Sequence, residues 1–328
     1  MENNRILYLD WLRVFAAFLV VALHTCGMLY VDCPKGMAEY YLGFWTGELV
    51  RSAVSVFFLI SGALLLRPEY EANPRKMMHK ALKTLALMLI WSFVYALVNV
   101  HPITIKGLIF TTIKGPFHFW FFEILIGLYL LTPVFKAIVA YKDGVIARYY
   151  LALFIIFGII VSSLQAIPYC HKWIMDVTSK VPVEWLGFAG YLFMGHYLSQ
   201  LKIRKSPWIW IAIFTSAVLA QGWITAHVDM LYASDKFWIL TFIEASSLFM
   251  LFNSLQDTRI FRWQGITAIS SLAMGIYILH PLFSESIPYE YYTAPLYGFE
   301  LVAVFGCSLL TSFLIMKIPV VGKWLLSL

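Results

Sequence analysis

The sequence predicts an all-α, polytopic integral membrane bundle of about ten transmembrane helices, with both termini cytoplasmic. Three observations carry this. The chain is 61% hydrophobic and only 13% Asp, Glu, Lys and Arg, whereas a soluble domain carries about 25% charged residues. Its apolar residues come in runs long enough to cross a hydrocarbon core about 30 Å thick, which takes about 20 helical residues each. Its Lys and Arg residues are unevenly shared between alternate loops. The short alternating strands of a membrane barrel are absent.

In chain order, the expected spans are 7–31, 49–66, 80–100, 117–140, 149–167, 185–201, 208–228, 237–255, 266–285 and 298–317. An even number places both termini on one side. With the N-terminus inside, 16 of the 24 basic residues fall on the inner side. These are Arg5, Arg67, Arg75, Lys76, Lys80, Lys83, Lys136, Lys142, Arg148, Lys202, Arg204, Lys205, Arg259, Arg262, Lys317 and Lys323. Lys35, Arg51, Lys106, Lys114, Lys172, Lys180 and Lys236 fall outside, and Arg13 stays within the first helix. Such a bias orients a membrane protein and accounts for the net charge of +6 without a nucleic-acid partner. The first apolar run is too long for a signal peptide and lacks a small-residue cleavage site, so it reads as a permanent helix. All loops are short and no internal repeat stands out, so residues 1–328 read as one membrane-embedded domain. Cys26, Cys33, Cys170 and Cys307 show no metal-ligand spacing. Cys33 and Cys170 read as free thiols, with a disulfide between outer loops as the alternative.

The first span, "YLDWLRVFAAFLVVALHTCGMLY", carries Asp10, Arg13 and His24. Ionisable groups in lipid are expensive and normally face protein or a water-filled cavity. Arg13 and His24 are eleven residues apart, very nearly three helical turns, so they share a face and stand about 16 Å apart along the axis. An ion pair at the headgroup boundary would by itself account for Asp10 and Arg13. His24 lies deeper, in the outer half. His118 opens the fourth span, with Glu123 five residues deeper; an interfacial anchor beside Trp120 is an equal reading of His118. Glu244 lies inside the eighth span. The ninth delivers His280 near its outer end, at the depth of His24 and His118. Histidine suits proton transfer because its ordinary pKa lies close to working pH. A carboxylate, Glu123 or Glu244, is expected to fix the imidazole tautomer or else to serve as a protonated hydrogen-bonding group.

On the inner side, Ser61, Gly62 and Ala63 end the second span with small residues that permit close helix approach. Arg67, Arg75 and Lys76 follow, a basic cluster suited equally to the inside-positive bias, to anionic lipid or to the phosphates of a cytosolic donor. No spaced histidine pair or carboxylate pair suggests a metal, and none is expected.

The blocks "LDWLRVFAAFLVVALH", "SVFFLISGALL", "HFWFFEILIGLYLLTP" and "SLAMGIYILHPL" resemble the acyltransferase 3 family of integral membrane acyltransferases over nearly the whole chain. More narrowly, the sequence is similar to short stand-alone bacterial members that acetylate surface glycans such as enterobacterial common antigen. The resemblance implies activity-linked roles for Arg13 and His24. It aligns Ser61 and Gly62 with the family's small-residue stretch, sets Arg67 and Arg75 near acyl-CoA entry, and matches His280 to a late-helix histidine. The hydrolase-like soluble domain fused to some relatives is not in this sequence.

On this reading, acetyl-CoA docks from the cytosol with its phosphates near Arg13, Ser61, Arg67, Arg75 and Lys76. His24 then acts as general base on an acceptor hydroxyl or takes the acyl group itself. Asp10 orients Arg13, while His280 and Glu123 or Glu244 support the acceptor. The expected partners are the acyl-CoA donor, a lipid-linked or surface saccharide and membrane lipids; the setting is the bacterial inner membrane, and oligomeric state stays open. A small-solute transporter is the rival from another class, and an inactive sensor or assembly protein the third reading.

Overall fold

The computed structural model describes residues 5–30, 33–99, 103–167, 170, 187–201, 206–228, 236–288, 293–319 and 321–326, and their regular structure is helical. Lys172, Lys180, Lys202, Arg204 and Lys205, which entered the charge balance, lie outside the described residues, as does the side chain of Lys323. Six segments are long and apolar enough to cross a membrane: Leu7–Leu29, Ala38–Leu65, Pro74–Asn99, Ile105–Ala166, Pro207–His227 and Tyr297–Met316. Ile239–Leu255 and Ala273–Ser284 are shorter apolar helices. This is a multi-pass helical membrane protein.

Helix α1 (Leu7–Tyr30) is the central strut. Leu12, Ala16, Ala17, Val20 and Val21 are almost wholly buried, because helices pack around it on several sides. α2 (Ala38–Val50) and α3 (Ala53–Leu65) both lie against it. The expected second span begins at residue 49, but the membrane-length segment begins at Ala38 and breaks at Arg51–Ser52. Arg51 therefore lies inside that segment, not in an outer loop. Its guanidinium sits 2.5 Å from the Glu48 carboxylate. Gln221 donates to Glu48 at 2.9 Å and accepts from Thr241 at 3.3 Å. Charges that read as loop residues in the sequence are thus neutralised within the bundle, as burial demands.

The chain continues through α4 (Pro74–Asn99), α5 (Ile105–Lys114) and α6 (Trp120–Ala140). Thr104 caps α5 by accepting from the Gly107 amide, and Gly115, at φ 67°, ends it in a conformation that suits glycine. α7 (Val145–Leu153) and α8 (Ser162–Ala166) follow, joined by a widened helical stretch over 154–161. Then come α9 (Gly187–Gln200), α10 (Pro207–His227) and α11 (Ile239–Leu255). The expected ninth span is two pieces, α12 (Ile266–Ser270) and α13 (Ala273–Ser284), separated at Ser271–Leu272. α14 (Tyr297–Met316) and the short α15 (Val321–Leu326) complete the bundle. Cys26, Cys33, Cys170 and Cys307 are free thiols.

The tightest crossing joins α3 to α9. A Cβ on Gly62 would overlap the Leu192 carbonyl, and one on Gly195 would overlap the Leu59 carbonyl. The two glycines therefore let two backbones touch, the close approach expected of small residues between membrane helices. Gly62→Ala and Gly195→Ala should each cost about 1–3 kcal/mol through overpacking. Gly127→Ala, where an added methyl meets nothing within 4 Å, should leave the melting temperature unchanged. Thermal unfolding of the detergent-solubilised variants checks both expectations.

Candidate active site

Two polar constellations lie along α1, one near each end. The first is built on Asp10, which is buried. Its carboxylate accepts from Arg13 at 3.2 Å, from Ser270 at 2.8 Å and from Thr267 at 3.0 Å. Arg13 also donates to Ser270 at 2.9 Å. The first turn of α1 is thereby tied to α12, and the break after α12 lets Ser270 close the network. Thr267 and Ser270 stand in a run that reads only as span 266–285, so their part in this network was invisible to residue counting.

Arg13 opens onto a cavity of about 490 Å³. Arg5, Arg13, Arg67 and Lys80 give it a cationic end, and Phe57, Phe121, Leu125, Met274 and Tyr277 an apolar and aromatic one. Ser61 lines it too, its hydroxyl donating back to the Phe57 carbonyl at 2.8 Å. Two expected members stand aside. Arg75 is exposed in the first turn of α4, its amide held by the Asn73 side chain at 2.9 Å. Lys76 is exposed and stacks its ammonium 4.6 Å from the Tyr70 ring centroid. Lys80, one turn further along α4, takes the lining position because it faces Tyr129 as well as Tyr70. Arg5 joins from just ahead of α1.

The second constellation is a histidine cluster. The rings of His24 and His280 are 4.8 Å apart, His118 and His280 5.8 Å, and His24 and His118 6.5 Å. Depth along three helices, readable in sequence, thus becomes lateral convergence. His118 and His280 are 1% and 0% exposed, so His24 is the accessible member. Burial removes His118 from the interfacial-anchor reading. Tyr277 holds the same place from below: its hydroxyl donates to the His118 carbonyl, and its ring centroid lies 6.1 Å from that of His280. Tyr277 also lines the cavity, so one side chain touches both the cavity and the His118–His280 pair.

The tautomers follow from the partners. A carbonyl can only accept, so His280 Nδ1, 3.1 Å from the Ile276 carbonyl, carries its proton. The Nε2 of that neutral ring is then an acceptor. His24 Nδ1 lies 2.9 Å from the Val20 carbonyl and 3.2 Å from His280 Nε2, so it also carries its proton and shares it between the two. This leaves a lone pair on His24 Nε2, the state required of a base or nucleophile. One main-chain carbonyl and a second imidazole, itself held by the Ile276 carbonyl, orient His24. The expected carboxylate does not. Glu123 is on the protein surface in the first turn of α6. Glu244 is fully buried on α11, facing Arg51, Glu48 and Ser52. Among the described residues, no group of three or more His, Cys, Asp or Glu side chains is placed to hold a metal ion.

Residues 6–317 match the family described as an acyltransferase domain, acyltransferase 3. No curated protein and no solved structure matches the chain.

The Asp10 network should matter for stability independently of chemistry. Asp10→Ala strands the Arg13 charge and should cost about 3 kcal/mol, and Ser270→Ala about 1 kcal/mol. Melting temperatures of the purified variants, compared in one detergent, check the order.

Proposed function

The chain belongs to the acyltransferase 3 family, and from that premise we propose that it transfers an acetyl group from cytosolic acetyl-CoA to a hydroxyl of a lipid-linked or cell-surface glycan. Membrane acyltransferase chemistry is the family's own; donor and acceptor are our assignment. The protein sits in the bacterial inner membrane with its N-terminus inside. One observation carries the reading: Tyr277 packs against His280, the hydrogen-bond partner of His24, and also lines the cavity that holds Arg13, Arg67 and Lys80, so the histidine cluster and the cationic cavity share a wall.

The donor's phosphates pair with Arg13, Arg67 and Lys80, and Asp10 fixes the Arg13 guanidinium for them. The thioester arm lies along the apolar part of the cavity toward Tyr277. His24 Nε2 takes the proton of the acceptor hydroxyl as its oxygen bonds to the thioester carbonyl carbon. The carbon–sulfur bond then breaks, and the CoA thiolate leaves with the proton that His24 returns. While His24 is protonated, the Val20 carbonyl and His280 Nε2 accept from its Nδ1–H and disperse the charge. Both ring nitrogens of His118 are buried without a well-formed hydrogen bond, although the Ile278 main chain lies close enough to interact with the ring. A buried polar group of this kind has a transient use, and a His118 N–H is assigned to the tetrahedral oxyanion. Glu123 and Glu244 take no step in this scheme.

Purified protein in nanodiscs, supplied with acetyl-CoA and a lipid-linked saccharide, tests the proposal by mass spectrometry of the glycan. Acetyl ester should form with wild type and be lost with His24→Ala. His280→Ala should lower kcat about 10²-fold with the donor KM unchanged. Arg13→Gln should raise the donor KM about tenfold or more. Normal ester formation by folded His24→Ala would remove His24 from the reaction. Solute flux without ester would replace transfer with transport.

A further inference from the structure

A second cavity, of about 580 Å³, lies across residues 65–68 from the first. Leu65 and Arg67 line the one described above, and Leu66 and Pro68 line this one. Its other walls come from the end of α6, the turn before α7, and α9. The polar groups it presents are mostly donors. Lys136 donates to the Arg67 carbonyl at 2.7 Å and to the Pro68 carbonyl at 3.4 Å. An ammonium has three protons, so one remains for a ligand. Arg148 donates through one nitrogen to the Asp143 carbonyl at 2.7 Å, which leaves most of its five N–H groups.

The independent sign of a ligand is His196. It is 7% exposed and lines the cavity. Its Nε2 lies 2.9 Å from the Gln200 amide nitrogen. That nitrogen can only donate, so His196 Nε2 accepts and Nδ1 carries the proton. Nδ1 is buried with no hydrogen-bond partner. An orphaned N–H, an ammonium and a guanidinium contributed by three residues that line one cavity make the donor set of an oxyanion site. Asp143 is the one carboxylate among the lining residues and is exposed.

We propose that Lys136, Arg148 and His196 form a binding site for a phosphate monoester. Such a group brings a charge of about −1.5 to −2 and three acceptor oxygens, matching two cations and an imidazole N–H. Two sources supply that chemistry: the 3′-phosphate of the CoA nucleotide, or free phosphate. The first rests on the donor reading above. Lys136 favours it, because the same ammonium braces the main chain of Arg67, which lines the donor cavity.

The test is equilibrium binding to the detergent-solubilised protein, with adenosine 3′,5′-bisphosphate, adenosine 5′-monophosphate and inorganic phosphate as probes. Wild type should bind the bisphosphate in preference to the monophosphate. Arg148→Gln, an exposed change, and His196→Phe should each weaken bisphosphate binding about tenfold and erase that preference. Loss of inorganic-phosphate binding in both variants, without any nucleotide preference in wild type, assigns the site to free phosphate. Folded Arg148→Gln that binds every probe as wild type does overturns the proposal. If the variants lose phosphate while wild type makes no acetyl ester, the site stands and the donor reading falls.

Discussion

The contact between Arg13 and Ser270 sets the geometry on which the rest depends. α1 and α13 run in the same direction, and the Asp10 network ties them together at one end through α12. From that tie, His24 lies eleven residues on, about three turns along α1, and His280 ten residues on, across the break at Ser271–Leu272. The two imidazoles therefore arrive level and within hydrogen-bonding reach. Asp10 is buried and its carboxylate is met by Arg13, Ser270 and Thr267, so the tie holds the register of α1 against α12. The small residues of the α3–α9 crossing act on a different axis, bringing Ser61 and the Arg67 segment against the same cavity.

Much of this was legible in the sequence because helical periodicity is a reliable ruler. The stripe on α1 follows from residue spacing alone, and the matched depths of His24, His118 and His280 follow from counting into each span. Periodicity gives no information on which helix lies beside which. Hence the orienting partner of His24 was sought among the carboxylates, whereas the Val20 carbonyl and His280 do the orienting. Main-chain acceptors leave no mark on composition. The breaks at Arg51–Ser52 and Ser271–Leu272 were equally silent, since neither carries glycine or proline. Arg51 consequently read as a loop cation, although Glu48 holds it inside the bundle. Arg75 and Lys80 differ by less than two helical turns, and only packing against Tyr70 and Tyr129 separates the exposed residue from the lining one.

The two ends of α1 also divide the electrostatics. Near Asp10 one carboxylate holds the Arg13 guanidinium, and Arg5, Arg67 and Lys80 line the same cavity as Arg13. Near His24 the groups are imidazoles, whose charge can appear and vanish during a reaction.

Tyr277 has a further consequence for how the two sites communicate. Its ring packs against Phe121 and Phe122, and its hydroxyl is engaged by the His118 carbonyl. The same side chain faces the cavity and packs against His280. The ring is therefore a shared wall: whatever displaces it alters the depth of the cavity and the support of the histidines together.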